Sequence, residues 1–193
     1  MTMEKIRELR QRTNVGLADC KKALETARGD VEKAIVELKK AGKIKAAKMR
    51  SKEAKEGRIY TYLHHDGKQA CMVEVNCQTD FSANTDQFEA FCEAVALQII
   101  SMEPEWLTSA DVPDDIVAVQ REIFETQVTK VPDDKKEHVV NQKLKKWFYE
   151  VCLMDQKAVT ASNKTIEGLR EELVQQIQEN VVVKRYVHWK LGQ

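Results

Sequence analysis

Between residues 1 and 42 the apolar positions recur at the three- and four-residue spacing of helices that bury one face. Met3, Ile6 and Leu9 make a first stripe, and Leu17, Cys20, Leu24 and Ala27 a second, after a turn at Thr13-Asn14-Val15-Gly16. Val31, Ala34, Ile35 and Leu38 make a third, opened by Gly29-Asp30, where the aspartate is a good N-cap, and closed by Gly42. This spacing predicts a three-helix bundle over residues 1–42. So small a bundle buries little surface and is marginal alone. Its expected role is therefore to present a surface rather than to house chemistry.

From Arg58 the period changes to two. Arg58-Ile59-Tyr60-Thr61-Tyr62-Leu63 alternates, and Ala70-Cys71-Met72-Val73-Glu74-Val75 is strand-like. His64-His65-Asp66-Gly67 between them carries an Asp-Gly turn signal, which predicts an antiparallel hairpin. A helix follows, with Asn84 as N-cap, Gln87 completing a capping box, and a core stripe of Phe88, Phe91, Cys92, Val95 and Ile99. Pro104 and Pro113 bracket a loop, and Ile116, Val119 and Ile123 mark a second helix. Val140, Leu144, Trp147 and Phe148 mark a third, beginning near Pro132-Asp133-Asp134. A shorter helix from Ile166 to Ile177 leads to a last strand, Val181 to Leu191. Strands, then helices, then a strand predict an α+β domain over residues 58–193, a small antiparallel sheet covered by helices on one face. Between the two domains, Lys39 to Arg58 holds nine basic residues and two acidic ones, Glu53 and Glu56. The segment 43–57 reads as a basic, solvated helical linker, with an RNA-binding arm as the competing reading.

Composition narrows the function classes. The 193 residues suit one or two domains, and 42 % apolar content is enough for a packed core. The 31 basic and 31 acidic side chains cancel, so no global field draws the chain to nucleic acid or to a membrane surface. No apolar run approaches the roughly 20 residues that span a bilayer. Met1-Thr2-Met3-Glu4-Lys5 lacks the apolar stretch of a secretory signal, so a cytoplasmic location is expected. The five cysteines are odd in number and include no Cys-x-x-Cys pair. They read as buried apolar residues in a reducing compartment, with an intersubunit disulfide as the minor alternative.

Catalytic constellations are not evident. The sequence contains no Gly-x-Gly-x-x-Gly, phosphate loop or Gly-x-Ser-x-Gly elbow. His64, His65, His138 and His188 are scattered, and Asp114-Asp115 and Asp133-Asp134 suit the positive ends of helix dipoles. No catalytic residue, cofactor or metal is expected. The exception to this bland picture is Val73 to Asn84, where a strand runs into a helix cap with Phe81 in the short connection. Connections of this kind tend to expose side chains. On pattern alone Phe81 is equally an exposed functional side chain or a staple folded back near Phe88.

Particular residues go further. Glu74-Val75-Asn76-Cys77-Gln78-Thr79-Asp80-Phe81 closely resembles the signature of the bacterial-type elongation factor Ts family. Leu9-Arg10-Gln11-Arg12-Thr13, Val15-Gly16-Leu17-Ala18-Asp19-Cys20-Lys21-Lys22-Ala23-Leu24 and Gly29-Asp30-Val31-Glu32-Lys33-Ala34 resemble the same family's first domain. Glu179 to Val187 resembles its closing strand. The resemblance implies a guanine-nucleotide exchange factor for elongation factor Tu, with no catalytic residues of its own. It also implies a first domain of the ubiquitin-associated type that docks through Val15, Gly16 and Leu17. Thr79, Asp80, Phe81 and Ser82 are the implied agents of Mg²⁺ dislocation in the partner. The chain is short, resembling members that work as homodimers, and no direct nucleic-acid or membrane partner is implied. It departs from the family pattern at Ser82-Ala83-Asn84-Thr85, which lacks a basic residue, and at Lys157-Ala158, where Pro and Phe are usual. A ubiquitin-associated-type adaptor and an RNA-binding protein are the competing classes.

Overall fold

The three N-terminal stripes close on one another in the computed structural model, which describes residues 3–13, 15–41, 52–129 and 132–192. Helices α1 (Met3–Thr13), α2 (Leu17–Thr26) and α3 (Val31–Lys40) share a core of Ile6, Leu9, Val15, Cys20, Leu24, Ala34 and Leu38. Met3 and Leu17, read as stripe positions, are exposed instead, each at the first residue of its helix. The Asp30 carboxylate accepts the Lys33 N–H at 3.1 Å, capping α3 as expected. Gly42 and most of the expected linker, residues 42–51, lie outside the described residues. Residues 52–55 are described and are not helical, so that part of the helical-linker expectation fails. Strand pairing takes the last two residues of the expected linker, since β1 (Glu56–Leu63) starts at Glu56.

β1 pairs antiparallel with β2 (Gln69–Cys77), from Glu56 opposite Cys77 to Leu63 opposite Ala70. The turn closes through His64 N–H to Gln69 O and Gly67 N–H to His64 O, both 2.8 Å, with Gly67 at φ +69. Gly57 is demanded by close approach: at φ +144, a Cβ there would lie 2.2 Å from the Val75 carbonyl oxygen. The chain continues through α4 (Asp80–Ala83), α5 (Asp86–Met102), α6 (Asp114–Gln127), α7 (Asp133–Val151), β3 (Lys157–Ala158), β4 (Ala161–Thr165), α8 (Ile166–Ile177) and β5 (Val182–Lys190). β5 lies antiparallel on the free side of β2, giving the sheet order β1-β2-β5.

Helices cover one face of this sheet, as the α+β reading expects. Cys71, Val73, Val75 and Cys77 of β2 point into a core with Phe88, Phe91, Cys92, Val95 and Ile99 of α5 and Leu173 of α8. A register shift where β2 passes Glu74 and Val75 leaves Lys184 of β5 as an extra residue, so that Val183 also turns inward. All five cysteines are free and buried, as the reading of them as small apolar core residues expects. Burial pushes the Cys92 thiol up to about 12.

Three details differ from the sequence reading. Asn84 ends α4, and Thr85 caps α5 by accepting the Phe88 N–H at 3.3 Å, because Thr85 has the extended backbone a cap needs. Ile116, Val119 and Ile123 do lie on a helix but are exposed. α7 packs on the adjacent face, where Val117 and Phe124 join Val128, Val140 and Leu144. Spacing alone fits either stripe, and only the position of α7 chooses between them. The small β3–β4 hairpin was not anticipated. It is stitched to α5 by buried amides: Gln98 Nε2 donates to Gln156 Oε1, and Val159 N–H donates to Gln98 Oε1, both at 2.9 Å.

Candidate functional site

At the end of β2 the chain leaves the sheet after Cys77 and must turn into α5. Thr79 has extended backbone, and its Oγ1 accepts the Ser82 N–H at 3.3 Å, starting the single turn α4. Asn84 closes that turn, its N–H reaching Asp80 O at 3.1 Å and its Nδ2 donating to the same carbonyl at 2.8 Å. The Thr85 hydroxyl donates to Ser82 O at 2.8 Å while capping α5. Two tight caps in succession leave no slack between strand and helix. Asp80 and Phe81 therefore project from the bend.

The four predicted residues separate by environment. Phe81 is 81 % exposed, whereas Phe88 is fully buried in the core, so the staple alternative is excluded. Asp80 is exposed, with one carboxylate oxygen accepting the Phe81 N–H at 2.9 Å. Thr79 is exposed as a residue, yet its hydroxyl is engaged on both sides. Ser82 is buried behind the tip. Asp80, Phe81, Asn84, Thr85, Asp86 and Gln87 line a shallow open depression, whose carboxylates give it negative charge. The arrangement offers a large apolar side chain with an acidic flank to whatever approaches. Among the described residues, no group of three or more His, Cys, Asp or Glu could hold a metal ion.

Sequence reasoning missed what holds the tip from outside. Glu179, between α8 and β5, accepts Gln78 N–H at 3.0 Å and Thr79 N–H at 3.1 Å on one oxygen, and the Thr79 hydroxyl at 2.7 Å on the other. Partial burial pushes its carboxyl up, but the bonds from Thr79, Ser82 and Gln78 outweigh this and hold it below its ordinary value. On the opposite side Arg58 donates to Glu89 at 2.7 Å and reaches Asn84 Oδ1 at 3.4 Å. The only signal for Glu179 was its place in the block resembling the family's closing strand. In the N-terminal bundle, Val15 is buried, so that turn offers Gly16 and Leu17 at the surface, with open space around Gly16.

The chain matches the family model described as Elongation factor TS over residues 2–193. The chain belongs to the elongation factor Ts family. Among relatives bearing the name elongation factor Ts, that of Fervidobacterium nodosum is 38% identical over 195 residues, covering 100% of this chain and 99% of its own. That of Carboxydothermus hydrogenoformans is 39% identical, covering 100% of this chain and 90% of its own. That of Thermosipho melanesiensis is 40% identical over 192 residues, covering 97% of each. Membership of the elongation factor Ts family places the chain in the elongation stage of protein synthesis. No helix among the described residues is long and apolar enough to cross a membrane.

Proposed function

We propose that the chain is a guanine-nucleotide exchange factor that binds GDP-loaded elongation factor Tu, dislodges Mg²⁺ from the partner's nucleotide site and promotes GDP release. The observation that carries this reading is Phe81, held outward on a doubly capped bend with 81 % of its surface in solvent. An isolated exposed phenylalanine on a rigid support loses nothing on leaving its own core and gains on entering a partner. Mg²⁺ bridges phosphate oxygens and neutralises their charge, so displacing it weakens the partner's hold on nucleotide. Phe81 acts as the wedge, and Asp80 brings negative charge toward phosphates and metal ligands. Thr79 and Ser82 set the bend beneath them.

Magnitudes show that the tip acts with help. Lowering a nanomolar nucleotide affinity to micromolar takes about 4 kcal/mol. Burying one aromatic side chain supplies about 2–3 kcal/mol. Metal loss and the docked N-terminal bundle supply the rest, the bundle presenting Gly16 and Leu17 over the buried Val15. By linkage, nucleotide rebinding must expel the factor as strongly as the factor expels nucleotide. The protein carries out no bond chemistry of its own, and its work is cytoplasmic.

The same reading includes a homodimer. The sheet face away from the helices carries Ile59, Leu63, Met72, Val187 and Trp189, all exposed, around a Glu74–Arg185 ion pair at 2.7 Å. Val187 stands opposite Met72, and Trp189 and Leu63 both stand opposite Ala70, so these side chains share one surface. A second copy of this face, related by a two-fold axis, covers it. The test of exchange is release of fluorescent GDP from elongation factor Tu: release should accelerate with added protein, and an unchanged rate at saturation sinks the reading. An RNA-binding role would show instead as steeply salt-dependent RNA affinity.

A further inference from the structure

Phe81 makes its contribution only if its direction is fixed, and its own exposed ring cannot fix it. The sheet does not fix it either. The last ladder pairs of β2 are Cys77 with Glu56 and Asn76 with Val182, so the N–H groups of Gln78 and Thr79 lie beyond the paired strands. We propose that Glu179 is the positioning residue of the exchange tip, its carboxylate standing in for the missing strand and aiming Asp80 and Phe81 at the partner. This rests on the exchange reading of the same bend.

Three observations support it. One Glu179 oxygen accepts both orphan N–H groups, at 3.0 and 3.1 Å, across a sequence distance of about one hundred residues. The other oxygen accepts a hydrogen bond from the Thr79 hydroxyl at 2.7 Å. With its single proton committed, Thr79 Oγ1 has only lone pairs to offer the Ser82 N–H, which is the bond that starts the turn under Phe81. Glu179 is itself held from both sides: Gln178 ends α8 in the left-handed conformation at φ +58, and the buried Asn180 donates to Lys52 O at 2.9 Å. Carboxylate acceptors make charge-assisted bonds that are stronger than neutral ones. An uncharged amide in the same place could keep one oxygen on the two N–H groups, but would turn an NH2 donor, in place of an acceptor, toward the Thr79 hydroxyl.

The experiment compares wild type, Glu179→Gln and Glu179→Asp as full chains. It reads fluorescent GDP release from elongation factor Tu against factor concentration, together with hydrogen exchange at the Gln78 and Thr79 amides. Losing charge-assisted bonds predicts that Glu179→Gln lowers the maximal release rate about tenfold or more, while the half-saturating concentration moves less than about threefold. Both amides should exchange faster in that variant, and Glu179→Asp, one methylene shorter but still an acceptor, should fall between it and wild type. If Glu179→Gln does not fold, the Asp variant carries the test, with the same split between rate and half-saturation. Loosened amides with an unchanged maximal rate overturn the positioning role and leave the exchange reading standing. Equal losses in rate and half-saturation overturn it too, since they describe a contact or a damaged fold. A wild-type protein that does not accelerate release sinks the exchange reading, and Glu179's role in exchange with it.

Discussion

Replacing Phe81 with alanine removes a ring that the free protein leaves 81 % exposed, so the perturbation falls almost entirely on the complex. Fully burying a phenylalanine is worth about 2–3 kcal/mol, and some four-fifths of that remains available to be gained against a partner, about 2 kcal/mol. If the gain is realised in the state that expels nucleotide, the maximal rate of GDP release falls about thirtyfold. Surface substitutions that leave packing alone shift stability by about 0.5 kcal/mol or less, so the melting temperature of the free protein should barely move. The assay is stopped-flow release of fluorescent GDP from elongation factor Tu over a range of factor concentrations, with thermal unfolding of the factor alone as control. A wedge predicts a large fall in maximal rate and a small change in half-saturating concentration. Equal falls in both would make Phe81 an ordinary contact. A melting temperature lowered by several degrees would mean that the ring packs at home, contrary to its exposure.

Other consequences follow from the same geometry. Gly57→Ala should destabilise the chain by about 2–4 kcal/mol, from positive-φ strain and a Cβ placed 2.2 Å from Val75 O, read as a lower urea midpoint. Gly67→Ala, at φ +69 in open space, should cost only about 1–2 kcal/mol, and equal midpoints for the two variants would contradict the crowding at Gly57. Because the Glu179 carboxyl sits below its ordinary 4.5 when folded, the stability it contributes is complete above pH 4.5 and is lost as pH falls through the folded value. The Thr79 amide resonance should therefore titrate with a midpoint under 4.5, and a midpoint at or above it would deny the bonds to Glu179 any net effect. Trp189→Asp, at a side chain 63 % exposed in the single protomer, should leave the fold intact but reduce the sedimentation mass from about twice to once 22.2 kDa. A mass that stays at twice the chain would move the proposed dimer contact off the open sheet face, and a wild-type mass of once the chain would remove the dimer.

What the chain determined by itself is local. Periodicity placed the bundle, the β1–β2 hairpin, the helix carrying Phe88 to Ile99, the helix from Ile166 to Ile177 and the last strand, because each element's apolar residues repeat at its own period. The motif around Thr79-Asp80-Phe81 was also legible, as residues rather than as geometry. Tertiary structure decided the rest wherever two local answers were equally good. Asn84 and Thr85 are both competent caps, and the backbone set by α4 chose Thr85. Both faces of α6 carry apolar side chains, and the position of α7 chose Val117 and Phe124. Phe81 could stand outward or fold back near Phe88, and successive caps turned it outward. Glu179 could not have been assigned from neighbours in sequence, because the partners it holds lie about one hundred residues away and meet it only once β5 has docked on β2. Hydrophobic spacing records which residues one element buries, but not which distant backbone groups are left for a single carboxylate to satisfy.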